Sequence, residues 1–230
     1  MIAAASYLQV DDLLLLCSQQ LIQHINKHWN LVLYIANSYG LANVKQTVYK
    51  HVSKNLHQIQ HDGGEKWNSF KNLPARDLCL VLDDDDCSAT EKEIFDAALV
   101  WLNHEVMRIT SCSREVLAVI RFPLMSPDDL QICTSELTSS DIPPDCYSTL
   151  LEEAMTYQQV AGGDSVAGGR RTRMRNSVDV VIALGGFTAS EQTTNRFQVL
   201  SVTELWAHSA KEIRLNFCVI LLFKHYMVRL

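Results

Sequence analysis

Two pairs of histidines have the spacing of metal ligands on a helix. His24 and His28, and again His57 and His61, stand four residues apart, so each pair would share one helical face. Neither pair has the glutamate of an H-E-x-x-H motif or an obvious third ligand. Because catalytic zinc needs three protein ligands and structural zinc needs four, we expect ordinary surface histidines and predict no metal site.

Four consecutive aspartates, residues 83–86, form a dense negative stretch that we call the acidic segment. A calcium-binding EF-hand loop would need alternating ligands, a central glycine and a terminal glutamate, and these are absent. We therefore expect a solvated loop between two helices, which attracts a basic partner weakly.

A basic stretch follows later in the chain, with Arg170, Arg171, Arg173 and Arg175 close together. Clustered arginines can bind phosphate or RNA. However, no aromatic side chains are interleaved for base stacking, and the chain has a net charge of −6. We expect a solvated linker and no nucleic-acid partner.

The sequence contains no recognisable catalytic motif. A G-x-S-x-G elbow, a P-loop and a dinucleotide fingerprint are all absent. The glycines within residues 162–169 follow a predicted helix, whereas a phosphate-cradling loop follows a strand. We predict a non-enzymatic protein with no catalytic residue and no cofactor.

Cysteine usage and hydropathy indicate an intracellular protein. The seven cysteines are an odd number without a C-x-x-C pair, which supports neither a zinc framework nor a disulfide scaffold. The longest unbroken apolar run, residues 217–223, is far shorter than the ~20 residues of a membrane span. We expect no membrane partner and place the protein in the cytoplasm, with the nucleus as the alternative compartment.

Apolar side chains recur at helical spacing through the first two-thirds of the chain. Val44, Val48 and Val52 mark one long helix. A second helix places Phe95 and Trp101 on a broad apolar face, and residues 88–91 (SATE) predict the capping box at its start. Trp67, Phe70 and Phe122 are likewise expected in the core.

Residues 120–124 (IRFPL) predict a sharp corner between two helices. Proline lacks an N–H group and disfavours the helical region for the residue before it, so the incoming helix should end near Arg121. Ser126 followed by Pro127 predicts the start of the next helix, with Asp129 in a variant of the capping box. Phe122, the apolar residue directly before Pro123, should fill the gap between the two helices.

The composition changes at residue 161. Residues 161–177 are rich in Gly, Ser and Arg and have no apolar period, which is typical of a flexible linker. Beyond it, residues 178–184 and 197–202 are rich in strand-forming residues.

The ordered series of these segments resembles the BTB–BACK–Kelch family of Kelch-like proteins. The matching segments are residues 3–10 (AAASYLQV), 16–24, 93–104 (EIFDAALVWLNH), 120–124, 150–157, the basic residues 171–175 and 182–186 (IALGG). Only the final BTB helix and less than one Kelch blade match, so the resemblance is to a truncated form.

The resemblance implies a mainly α fold: a BACK-type helical domain of stacked antiparallel helix pairs, then a linker and a short incomplete β segment. We predict a C-terminal BTB remnant (1–10), a BACK domain including the helix pair after BTB (11–160) and the linker (161–177). An incomplete first Kelch repeat (178–208) and a divergent apolar tail (209–230) should follow.

The resemblance also implies a function, since family members recruit substrates to a cullin-3 RING E3 ubiquitin ligase. The helix pair at residues 11–40 would face the cullin, with a full-length Kelch-like protein as a second partner. We expect truncation to impair substrate capture. The cullin-facing candidates are Gln19, Gln20, Gln23, Asn26, Lys27 and Asn37.

Two alternatives remain open at this point. The six candidates also fit the solvated side of an amphipathic helix pair with no partner. The whole module also fits a helical scaffold or an actin-associated cytoskeletal protein with no role in ubiquitination.

Overall fold

The computed structural model describes residues 1–160 and 169–175, together with three strands at residues 178–184, 197–201 and 219–226. Side chains are described for residues 1–159 and 169–175. The chain divides into two compact units, Met1–Arg173 and Met174–Leu230.

The first unit is helical, which confirms the mainly α prediction. Its described helices are α1 (Ile2–Tyr7), α2 (Asp11–Gln23), α3 (Ile25–Ser38), α4 (Ala42–Lys54), α5 (Leu56–Asp62), α6 (Gly64–Lys71), α7 (Ala75–Leu82), α8 (Glu91–Asn103), α9 (Val106–Ala118), α10 (Pro127–Ser139) and α11 (Ser148–Val160). Short loops connect consecutive helices, so that neighbours such as α3 and α4, or α8 and α9, pack against each other.

The core follows the predicted helical spacing. Val44, Val48 and Val52 of α4 are all buried, against α3 on one side and α7 on the other. On α8, Phe95 and Trp101 are also buried, and the Trp101 Nε1–H donates a 2.9 Å hydrogen bond to the carbonyl of Leu73. This bond satisfies the polar atom of a large buried side chain.

The capping box of α8 lies two residues later than the sequence predicted. Thr90, not Ser88, is the N-cap, and its side chain accepts a hydrogen bond from the backbone N–H of Glu93. Both Ser88–Glu91 and Thr90–Glu93 have the required spacing. The Ser88 N–H instead donates to the carbonyl of Ser53 on α4, so a tertiary contact selects the second frame.

The corner at residues 120–124 is confirmed. Helix α9 ends at Ala118, a single 3₁₀ turn spans Phe122–Leu124, and Ser126 caps α10 by accepting from the N–H of Asp129 at 3.1 Å. Phe122 is fully buried and meets Phe95 edge-on, with ring centroids 5.9 Å apart. Helix α11 packs on this turn.

The second unit contains an antiparallel sheet with the strand order β2-β1-β3. The strands are β1 (Val178–Leu184), β2 (Phe197–Ser201) and β3 (Val219–Tyr226). The predicted strand at 178–184 is therefore found, the one predicted at 197–202 is found over Phe197–Ser201, and part of the divergent tail supplies β3. Gly185, Gly186 and Trp206, on which the Kelch resemblance partly rested, lie outside the described residues.

Two further features concern the described residues alone. None of their helices is long and apolar enough to cross a membrane. The six cysteines they include, at positions 17, 79, 87, 112, 133 and 146, are free thiols. The predicted boundaries at residues 10, 160 and 177 stay predictions.

Candidate partner-binding surface

Helix α2 presents a mixed polar and apolar face to solvent. Gln19, Gln20 and Gln23 are exposed, as the sequence predicted. Leu15 and Ile22 lie four residues before and three residues after Gln19, so they share its face, and they are 56% and 37% exposed. Cys17 is the residue of α2 that is buried.

Helix α3 has a kink at its start. His28 has non-helical backbone angles (φ −137°, ψ 42°), which separates Asn26 and Lys27 from the regular part of the helix. Both of these candidates are exposed, as is Asn37 near the helix end. The kink also breaks the shared helical face expected for His24 and His28.

Beyond the kink, α3 divides into a buried side and an exposed side. Val32, Leu33 and Ala36 are in the core. Leu31 and Tyr34, three residues apart, are 56% and 70% exposed. We use the term helix-pair surface for these exposed residues of the two helices: Leu15, Gln19, Gln20, Ile22 and Gln23 of α2, and Asn26, Lys27, Leu31, Tyr34 and Asn37 of α3.

The sequence did not predict the exposure of four apolar side chains: Leu15, Ile22, Leu31 and Tyr34. Residues 13–16 are four consecutive leucines, so their helical period does not show which of them face the core. The signal that could have found Leu31 and Tyr34 is their three-residue spacing on the side opposite Val32 and Ala36.

A polar cleft of about 340 Å³ lies at the kink of α3. Lys27, His28 and Asn30 line it from α3, together with Asp62. Trp29 also lines the cleft; its side chain is 2% exposed, and its Nε1–H has no hydrogen-bond partner among the described residues. A buried donor without an acceptor is unfavourable, so this group costs stability in the described structure.

Asp83 and Asp85 of the acidic segment pair with arginines of the same chain, whereas Asp86 is exposed and lies 3.5 Å from Lys54. Arg170 pairs with Asp83, whose side chain is 19% exposed. Next to it, Arg171 Nη2 lies 2.6 Å from Glu153 Oε2 of α11. The basic stretch was expected to be a solvated linker, and its residues 170–172 instead form a 3₁₀ turn that is paired with the helical unit.

Arg121 lies at the centre of this ion-pair cluster. It is 2% exposed, and its guanidinium pairs with Asp85 and donates a 2.5 Å hydrogen bond to the carbonyl of Arg173. Its own backbone N–H donates to Glu91 Oε2 at 3.0 Å. Arg173 Nη1 also lies 3.5 Å from Asp85, so this aspartate pairs with two arginines.

Three potential metal ligands meet where α5 approaches the start of α8. The rings of His57 and His61 lie 4.5 Å apart between centroids, as their four-residue spacing predicts. Glu93 Oε1 lies 2.6 Å from His57 Nδ1. The ligand atoms of all three residues lie within 4.8 Å of one another. Helix packing thus supplies the third ligand that the sequence lacked.

Glu93 is ionised and held in place at this position. Burial pushes its pKa upward, but hydrogen bonds from the backbone and side chain of Thr90 and from His57 outweigh burial, so the pKa lies below its usual value. Glu93 Oε2 accepts the two Thr90 bonds at 2.7 and 3.0 Å, which leaves Oε1 directed to His57.

Comparison with known proteins agrees with the geometry of a helical interaction module. The sequence profile of the BACK domain (BTB And C-terminal Kelch) matches residues 31–135. Human Kelch-like protein 31 is 28% identical over 186 residues, which cover 80% of this chain and 28% of that protein. Mouse Kelch-like protein 9 is 32% identical over 187 residues, or 80% of this chain and 29% of that protein.

A third relative extends the similarity along the chain. Human Kelch-like protein 4 is 28% identical over 212 residues, which cover 90% of this chain and 28% of that protein. The matched region therefore spans less than a third of the length of each of these three relatives.

Proposed function

Because the chain belongs to the Kelch-like family of BACK-containing interaction proteins, we propose that it acts as an adaptor whose helix-pair surface binds the cullin-3 scaffold of a RING E3 ubiquitin ligase. We assign the binding to the helix-pair surface of this chain and to the residues that form it. Gln19, Gln20, Gln23, Asn26, Lys27 and Asn37 are the polar contacts proposed for the cullin.

The observation that carries the proposal is the exposed apolar set on α2 and α3. Protein interfaces combine an apolar centre with a polar rim, and large apolar or aromatic residues contribute most of the binding energy. In the proposal, the exposed Leu15, Ile22, Leu31 and Tyr34 provide the apolar contacts, and the exposed glutamines and asparagines of the same two helices provide the polar ones.

The cleft at the kink of α3 supports the same surface. Lys27 belongs both to the polar candidates and to the cleft lining, so the two features are continuous. Lys27 is exposed and would offer an ammonium donor at this cleft to a carbonyl or carboxylate oxygen of a bound segment.

Substrate recruitment is a separate step that we do not assign to the described helices. The relatives are more than three times longer than the matched region, so the chain alone accounts for a part of what such proteins do. We propose that a chain which binds cullin without substrate competes with a full-length Kelch-like protein for the same cullin.

Binding of purified full chain to a cullin-3 N-terminal fragment, measured by biolayer interferometry, tests the proposal. Leu31→Glu and Tyr34→Ala should each weaken binding by at least about tenfold, since truncation of a hot-spot residue at an interface costs about 2 kcal/mol or more. Circular dichroism should be unchanged, because both side chains are exposed.

Val106→Glu and Met107→Glu are matched controls. These apolar residues of α9 are 79% and 75% exposed but lie outside the helix-pair surface, so binding should be retained. Absence of binding by the wild-type chain at micromolar concentration, or equal loss in the α9 variants, would overturn the proposal. Co-sedimentation with actin filaments that survives Leu31→Glu would favour the cytoskeletal alternative.

A further inference from the structure

We propose that His57, His61 and Glu93 bind one divalent transition-metal ion, for which Zn²⁺ is the best match. The site would join α5 to the first turn of α8. The proposed metal site does not depend on the proposed cullin binding, because none of the three residues belongs to the helix-pair surface.

The residue types match zinc chemistry. Two imidazoles and one carboxylate form a ligand set that zinc uses in protein sites, with a water molecule at the fourth position. His57 and His61 are exposed, so water reaches the site without obstruction. Calcium and magnesium prefer oxygen ligands alone, which makes them poor matches for two histidines.

The geometry needs little adjustment. Zinc bonds of about 2.0–2.2 Å place tetrahedral ligand atoms roughly 3.3–3.6 Å apart. His57 Nδ1 and Glu93 Oε1, now 2.6 Å apart, must separate slightly as the metal replaces the hydrogen between them. All three ligand atoms lie within 4.8 Å of one another, and both histidine rings are exposed, so rotation of their side chains can bring the atoms to bonding distance of one ion.

The carboxylate is prepared for metal binding by the helix cap. Glu93 Oε2 is engaged by the backbone N–H and hydroxyl of Thr90, so Oε1 is the oxygen available to the ion. Hydrogen bonds from outside the ligand set commonly orient metal-binding side chains, and their loss weakens affinity by ~10–100-fold. The capping box of α8 thus has a second role in addition to capping the start of the helix.

The other histidine pair provides a control within the same chain. His24 and His28 have the same four-residue spacing, but the backbone at His28 is not helical. Among residues 1–159 and 169–175, one group of three potential metal ligands is close enough to share an ion, and it consists of His57, His61 and Glu93. Metal affinity should therefore depend on one pair and not on the other.

The experiment is a Zn²⁺ titration of the metal-free full chain against a chromophoric chelator. His61→Gln and Glu93→Gln should each weaken the tightest site by at least about tenfold. Gln at position 93 keeps an oxygen for the Thr90 bonds, so the cap is preserved while the charged ligand is lost. The double variant His24→Gln/His28→Gln should bind like the wild type.

Thermal unfolding gives a second measurement. It follows the stability of the folded chain and not the total amount of zinc bound, to which cysteine thiols also contribute. Saturating Zn²⁺ should raise the melting temperature of the wild type and of the His24→Gln/His28→Gln variant, but not that of His61→Gln. Unchanged affinity in His61→Gln and Glu93→Gln, or an equal loss in the His24/His28 variant, would show adventitious binding by surface histidines or cysteines and overturn the proposal.

Discussion

Replacing the buried Arg121 by methionine should strongly destabilise the helical unit. Methionine keeps the apolar stem and most of its volume, so the change removes mainly the guanidinium. Two interactions are lost: the ion pair with Asp85 and the 2.5 Å hydrogen bond to the carbonyl of Arg173. The bond from the Arg121 backbone N–H to Glu91 is retained.

The expected cost is about 3 kcal/mol of unfolding free energy. Hydrogen bonds that involve a charged group contribute roughly 1.5–3 kcal/mol each. The sum for two such bonds must be reduced, because the Asp85 side chain is 44% exposed and keeps its contact with Arg173 at 3.5 Å. At ~2–4 °C per kcal/mol for a chain of this size, the melting temperature should fall by about 6–12 °C.

Urea unfolding followed by tryptophan fluorescence measures this cost, since Trp29, Trp67 and Trp101 all lie in the helical unit. Arg114→Met is the matched control. Arg114 also pairs with an aspartate, Asp145, at 2.6 Å, but the two side chains are 68% and 69% exposed.

Because exposed ion pairs are weak, the control should change stability by less than about 0.5 kcal/mol. If Arg121→Met were no more destabilising than Arg114→Met, burial would not be what makes this ion pair important, and the reasoning would be refuted.

Two further predictions concern buried polar groups in α4. The Ser53 hydroxyl is buried without a hydrogen-bond partner among the described residues, so Ser53→Ala should be neutral or stabilising by about 1 kcal/mol in urea unfolding; a clear loss would contradict this. The Tyr49 hydroxyl donates to Asp77 Oδ1 at 2.8 Å, and burial, followed by this bond and the Asp77 charge, raises its pKa. A raised folded pKa means that its stabilisation is complete below the ordinary value near 10 and is lost as pH rises toward the folded value. Wild type should therefore lose its stability advantage over Tyr49→Phe above about pH 10, whereas a constant difference would contradict the assignment.

The helix-pair surface was partly predictable from the sequence. Polar residues such as Gln19 and Asn37 fall on the solvent side of their helices, as amphipathic spacing predicts. Leu31 and Tyr34 did not follow from composition, because an apolar residue is normally expected in the core. Their exposure depends on which side of α3 packs against α4.

The histidine cluster shows the same limit more sharply. The spacing of His57 and His61 placed two ligands on one helical face, which is a local property of α5. Glu93 lies 36 residues after His57 and was predictable only as a residue near a helix start. Because Thr90 and not Ser88 is the N-cap, the Glu93 carboxylate takes part in the capping box and is held beside His57.

The sequence by itself determined the local features: helices with apolar faces, the corner at Phe122 and the strand segments near residues 178 and 197. These depend on the 3.6-residue period, on proline and on capping residues, all of which act over a few neighbouring positions. The tertiary structure decided which distant charges meet. Arg121 contacts Asp85 and Arg173, which are 36 and 52 residues away in the sequence. These contacts form because the acidic segment and the basic stretch both pack next to the end of α9 and the 3₁₀ turn at Phe122. No local rule encodes that convergence, since it depends on how whole helices pack.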